Sequence, residues 1–121
     1  MTVVTRVTLV AGGDAGARER AIANRLPALE QAGASLAVIL EGGSEISGLF
    51  DSAIPVTRLS PACPCCVGNL AMRVTLNRIL RNPPSQLFIS IAQAAHLEAV
   101  RDALMQAPYD QHLTLTENLI V

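Results

Sequence analysis

Apolar positions along this chain switch repeatedly between short continuous runs and helical spacing. Residues 2–10 are rich in Val and Thr and end at Gly12-Gly13, which predicts a strand closed by a turn. Over residues 17–32, Ile22, Leu26 and Leu29 recur at helical spacing, and Gly33 stands where a C-terminal cap belongs. Pro27 lies inside that helix and predicts a kink or a division. Residues 36–40 form a continuous apolar run suited to a strand buried on both faces, followed by a Gly/Ser-rich loop over 41–48. Residues 53–59 predict a further short strand, with Pro55 favouring a sheet edge or an irregular segment. Met72, Leu76, Ile79 and Leu80 mark one face of a helix from about 68 to 81, with Asn69 as N-cap and Pro83-Pro84 as its stop. A buried strand over 86–91, a helix over 95–106 and a closing strand over 112–121 complete the pattern.

Strands alternating with helices imply right-handed βαβ crossovers. The expected fold is a single α/β domain over 1–121, a three-layer sandwich with a mostly parallel sheet of four or five strands, Rossmann-like in outline. Ligands of such sheets gather beyond the carboxyl ends of the strands. The Gly12 turn, the loop that Glu41 opens and the loop after Ile91 fall on that edge, and a cysteine-rich loop that opens a helix is expected there too.

Composition narrows the function classes. The core must be aliphatic, because the chain has no Trp, one Tyr and two Phe. Half of the residues are apolar and the mean hydropathy is +0.39, which points to a partly apolar surface and a homo-oligomer. A net charge of −1 with scattered arginines gives no reason to expect nucleic acid or an anionic membrane as partner. No run approaches the ~20 apolar residues of a membrane span. The first residues carry no basic region or small-residue cleavage site, so no signal peptide is expected. Three cysteines crowded into four positions are not a disulfide scaffold and imply a reducing compartment, the cytoplasm. The chain contains no lysine.

Gly12, Gly13 and Gly16 join a strand to a helix, the context in which backbone N–H groups cradle phosphates. A working phosphate loop also needs a lysine and a Ser or Thr for Mg²⁺, but Arg18, Glu19 and Arg20 follow. Nucleotide hydrolysis is therefore not expected. A dinucleotide reading would use Glu41 as the ribose-binding acid, but the glycine spacing departs from the dinucleotide pattern and Asp14 would crowd a pyrophosphate. The plainer reading is that these glycines permit a tight turn.

Cys63, Cys65 and Cys66, bounded by Pro61 and Pro64, are the sharpest local signal. Free cysteines usually serve singly as small core residues, and a disulfide at this spacing would be strained. Thiolates on one short loop can converge on a soft metal, zinc first and Cu(I) as the alternative. A helix N-terminus near Gly68 and the charge of Arg73 would favour the thiolate forms. A fourth zinc ligand must come from water, a partner or a distant side chain, of which His96 is the better candidate and His112 the lesser.

Val7-Thr8-Leu9 before the glycine loop, the acidic Gly-rich loop, and Cys63-Pro64-Cys65-Cys66 after Ala62 together resemble the CobW-type GTPases, a metal-handling family. The resemblance spans essentially the whole chain, and C-x-C-C is its one specific motif. It implies a P-loop-GTPase-like scaffold whose nucleotide machinery is eroded, since Arg18 and Glu19 stand where the family has Lys and Ser/Thr. It further implies metal binding by the thiols, with a metalloprotein client or a full-length relative as partner. Three other functions compete with it: thiol redox chemistry, nucleotide binding without hydrolysis, and an interaction module whose C-terminal strand, 114–121, pairs across a dimer.

Overall fold

The computed structural model describes residues 4–42, 49–51, 53–59 and 70–121. Its centre is one parallel sheet of β1 (Thr5–Ala11), β2 (Leu36–Glu41), β3 (Val56–Leu59), β4 (Gln86–Ser90), β5 (Leu113–Leu115) and β6 (Leu119–Ile120). The spatial order is β3-β2-β4-β1-β5, with β6 also on β1. Every pairing is parallel.

Helices cover both faces, because alternate residues of each strand point to opposite layers. Val10, Val38, Leu40 and Phe88 meet Ile22 and Leu26 of α1 (Ala15–Gln31). Val7, Leu9, Ile39, Leu87 and Ile89 meet α2 (Leu70–Ile79) through Met72 and Leu76, and α3 (Leu97–Leu104) through Leu97 and Leu104. The fold is the expected three-layer α/β sandwich, with six strands rather than four or five. The unbroken apolar run of β2 follows from this double cover, since all six of its residues are buried. Leu76, 1% exposed, contributes about 2 kcal/mol by its burial.

Three expectations about the elements change. Pro27 does not divide α1, which runs continuously across it. The proline is on the exposed side close to the helix end, so solvent can satisfy the carbonyl it fails to bond. Beyond it, Gly33 (φ +84°) closes the helix, with its N–H donating to the Glu30 carbonyl and the Ala34 N–H to the Leu29 carbonyl, each at 3.0 Å. The helix expected over 95–106 is a 3₁₀ turn, Ala94–His96, followed by α3.

The closing strand is also interrupted. Val7 faces Leu115, but Val10 faces Leu119, so three steps along β1 match four along the edge. The extra residue makes a bulge. Arg101 of α3 satisfies it, donating to the Thr116 carbonyl (3.1 Å) and to Asn118 Oδ1 (2.9 Å). The strand-pairing that both pieces make is with β1 of the same chain. Among the described residues, no helix is long and apolar enough to cross a membrane.

Candidate functional site at the carboxyl edge of the sheet

The parallel strands β1, β2, β3 and β4 all end on one edge, and polar side chains are buried there rather than excluded. Arg18, Glu19, Glu41 and Ser90 are each 4% exposed or less. Their arrangement explains the glycine turn.

Gly12 (φ +89°) and Gly13 (φ +55°) make the turn after β1, in a backbone region that disfavours side chains. Gly16 is not in the turn but in the first turn of α1. Asp14 is the N-cap of this helix, and its carboxylate accepts from the Ala17 N–H at 2.7 Å. The helix N-terminus thus already holds an anion of the chain's own.

Arg18, one turn further on, folds back beneath the turn. Its Nε donates to Ser90 Oγ at 2.8 Å, and its Nη1 donates to the carbonyls of Gly12 (3.1 Å) and Gly13 (2.9 Å). A phosphate-binding turn directs N–H groups at its ligand. This one directs two carbonyl oxygens at an internal guanidinium.

The strand edge closes the turn from another side. The Val121 N–H donates to the Ala11 carbonyl at 2.8 Å. A Cβ at Gly12 would lie 2.6 Å from the Val121 carbonyl oxygen, and one at Gly13 would lie 3.2 Å from Val121 Cγ1. Gly12→Ala is therefore expected to cost about 2 kcal/mol, combining left-handed strain with a contact to backbone that cannot swing away. Urea unfolding of the variant would measure it, and an unchanged midpoint would show that Val121 does not seal the turn.

Glu19 does not face the turn, as a residue repelling phosphate would. Its carboxylate, 1% exposed, reaches across to Arg58 on β3, with contacts of 3.2 and 3.3 Å from the two Nη atoms. This paired fork balances a carboxylate that would otherwise be buried without a cation. Glu41 ends β2, and its Oε1 accepts from the Ala92 N–H at 3.3 Å, tying β2 to the loop after β4. Adjacent residues of α1 thus bind three strands together at one edge, Arg18 reaching β1 and β4 and Glu19 reaching β3.

Cys63, Cys65 and Cys66 lie outside the described residues, as does Asn69. Their segment follows Leu59, which is in register with Glu41 at the carboxyl edge, and leads into α2. His96 closes the 3₁₀ turn that follows β4. His112 is at the opposite edge, where its carbonyl accepts from Thr5 N–H at the start of β1. Among the described residues, no three His, Cys, Asp or Glu side chains come together as a metal site.

Sequence alone singled out Gly12, Gly13 and Glu41, and the fold brings them to this edge. It missed the roles of Ser90, Arg58 and Val121, which contact α1 or the turn from 39 or more positions away and carry no local signal. Asp14 could have been found, because an Asp three residues before a helical N–H is a cap signature. No family model, no curated protein and no solved structure matches this chain.

Proposed function

We propose that this chain binds a soft metal ion, zinc first and Cu(I) as the alternative, through Cys63, Cys65 and Cys66, in a reducing compartment such as the cytoplasm. Its scaffold would work without a nucleotide. The observation that supports this reading most is the Arg18 guanidinium beneath the glycine turn, bonded to the Gly12 and Gly13 carbonyls. With Asp14 on the helix N-terminus and Val121 against Gly12, the place of a phosphate is taken by the chain itself. The thiols are then the remaining concentration of reactive groups in the sequence. Three thiolates within four residues match the donor preference of Zn²⁺ and Cu(I), and in sequence they follow Leu59, which ends β3 at the edge where parallel sheets commonly take their ligands. The chain would buffer metal, or pass it to a metalloprotein client or a full-length relative.

Thermal unfolding of the reduced chain tests this reading. Zinc at ~100-fold above its dissociation constant is expected to add about 2.7 kcal/mol, a rise of roughly 10 °C for a chain of this length. GTP, ATP or NAD with Mg²⁺ is expected to leave the midpoint unchanged. A shift with a nucleotide and none with zinc would reverse the assignment.

A further inference from the structure

The outer layer formed by α2 and α3 carries its charge in two separate blocks. No Asp or Glu occurs between Asp51 and Glu98, so α2 and its following turn are purely cationic. Met72 and Leu76 face the sheet, and their helical spacing puts Val74 and Arg78, with Arg81 just beyond the helix, on the outer side. On α3, Leu97 and Leu104 face the sheet and Glu98 and Asp102 are exposed, while Arg101, the one cation of this helix, is half-buried and turned onto the Thr116 carbonyl and Asn118 Oδ1. None of Arg78, Arg81, Glu98 and Asp102 joins the one ion pair among the described residues, Arg58–Glu19. Two apolar side chains are also set out on this layer, Val74 at 48% exposure and Met105 at 59%.

We propose that a second copy of this chain docks on this layer about a two-fold axis, with the basic α2 of each copy against the acidic α3 of the other. The surface is complementary to itself, which is what a two-fold interface requires. Arg78 and Arg81 of one copy meet Glu98 and Asp102 of its partner, the same contacts recur on the other side of the axis, and Val74 and Met105 lie between them. A polyanion such as nucleic acid or an anionic membrane would gain from α2 and be repelled by α3, so the paired blocks favour a second copy. Both helices flank the sheet on the same face, α2 beside β3 and α3 beside β1 and β5. Strands about 4.8 Å apart put the two helices roughly 15 Å apart across the sheet, so together they offer a face of about 15 Å by 25 Å. That is below the ~800 Å² per partner of a standard interface. The dimer is therefore weak and sensitive to salt.

Sedimentation velocity on two double variants tests the proposal: Arg78→Glu with Arg81→Glu, and Glu98→Arg with Asp102→Arg. All four positions are exposed, and circular dichroism of each variant checks that it folds. The unmodified chain is expected to dimerise at low salt and to dissociate at about 0.5 M NaCl, as screening shortens to a few ångströms. Each double variant alone, with like charges now facing, is expected to dimerise at least ~10-fold more weakly. An equimolar mixture of the two restores opposite charges on both sides and is expected to recover the dimer. A chain that stays monomeric at several hundred micromolar in low salt overturns the proposal. So do folded double variants that dimerise as well as the original, or a mixture that does not recover.

Discussion

Replacing Arg18 with methionine is expected to lower the stability of the fold by about 3 kcal/mol, which for 121 residues is a fall of roughly 12 °C in Tm. Arg18 is 3% exposed and supplies three hydrogen bonds, one buried and two partly buried. Methionine keeps much of the apolar stem but removes every donor. Ser90 Oγ, on a residue 1% exposed, loses its guanidinium partner. The Gly12 and Gly13 carbonyls are closer to solvent and can be partly rescued by water, so the total stays below the sum of three full penalties. Lysine at position 18 is expected to restore less than half of the loss, because one ammonium cannot reproduce the planar fork that reaches Ser90 and both carbonyls together. A loss below 1 kcal/mol in Arg18→Met would mean that the turn holds its shape without the guanidinium. The self-filled turn would then lose its main support.

Changing Cys63, Cys65 and Cys66 together to serine is expected to weaken zinc binding by on the order of 10⁴-fold or more, since a neutral hydroxyl is a poor substitute for a thiolate. Competition against a chromophoric chelator would read this directly. Single replacements are expected to fall between the two extremes, because two remaining thiolates still offer a partial site. Zinc affinity of the original chain should also fall as pH is lowered, protons and metal competing for the same sulfurs. Without metal, the triple variant and the original chain are expected to unfold within about 2 °C of one another, since Cys→Ser is close to isosteric and the proposed role of these thiols is metal binding. Equal zinc affinity in the triple variant would remove the thiols from the account.

The layer architecture was legible because periodicity reports burial. The continuous run of β2 announced cover on both faces, and the spacing of Met72 and Leu76 announced the buried side of α2. Pro55 correctly marked an edge, since β3 ends the sheet. Pro27 does not divide α1, because the helix keeps Ile22 and Leu26 packed against the sheet on the opposite side while the proline itself is exposed, and that packing outweighs the local cost of the ring. The bulge that splits the closing strand depends on Arg101 reaching across from α3, which no local pattern encodes.

At the carboxyl edge, sequence gave the residue types but not their partners. Glu19 reads locally as a charge placed against phosphate, yet it pairs with Arg58 across 39 positions. Arg18 reads as a lost lysine, yet it fills the turn that the lysine would have helped to serve. Gly16 reads as part of the turn only if the helix starts later than Asp14 lets it. For Glu19, and for the bond from Arg18 to Ser90, the missing information was a long-range contact set by strand order; for Gly16 it was the local cap made by Asp14.

Cys63, Cys65 and Cys66 are proposed to hold a metal on a scaffold that works without a nucleotide. Elemental analysis of protein purified under reducing conditions, with the triple serine variant beside it, tests this most directly. Near-stoichiometric zinc or copper is expected in the original chain and background metal in the variant. A metal-free original chain that also takes up no zinc on titration would contradict it.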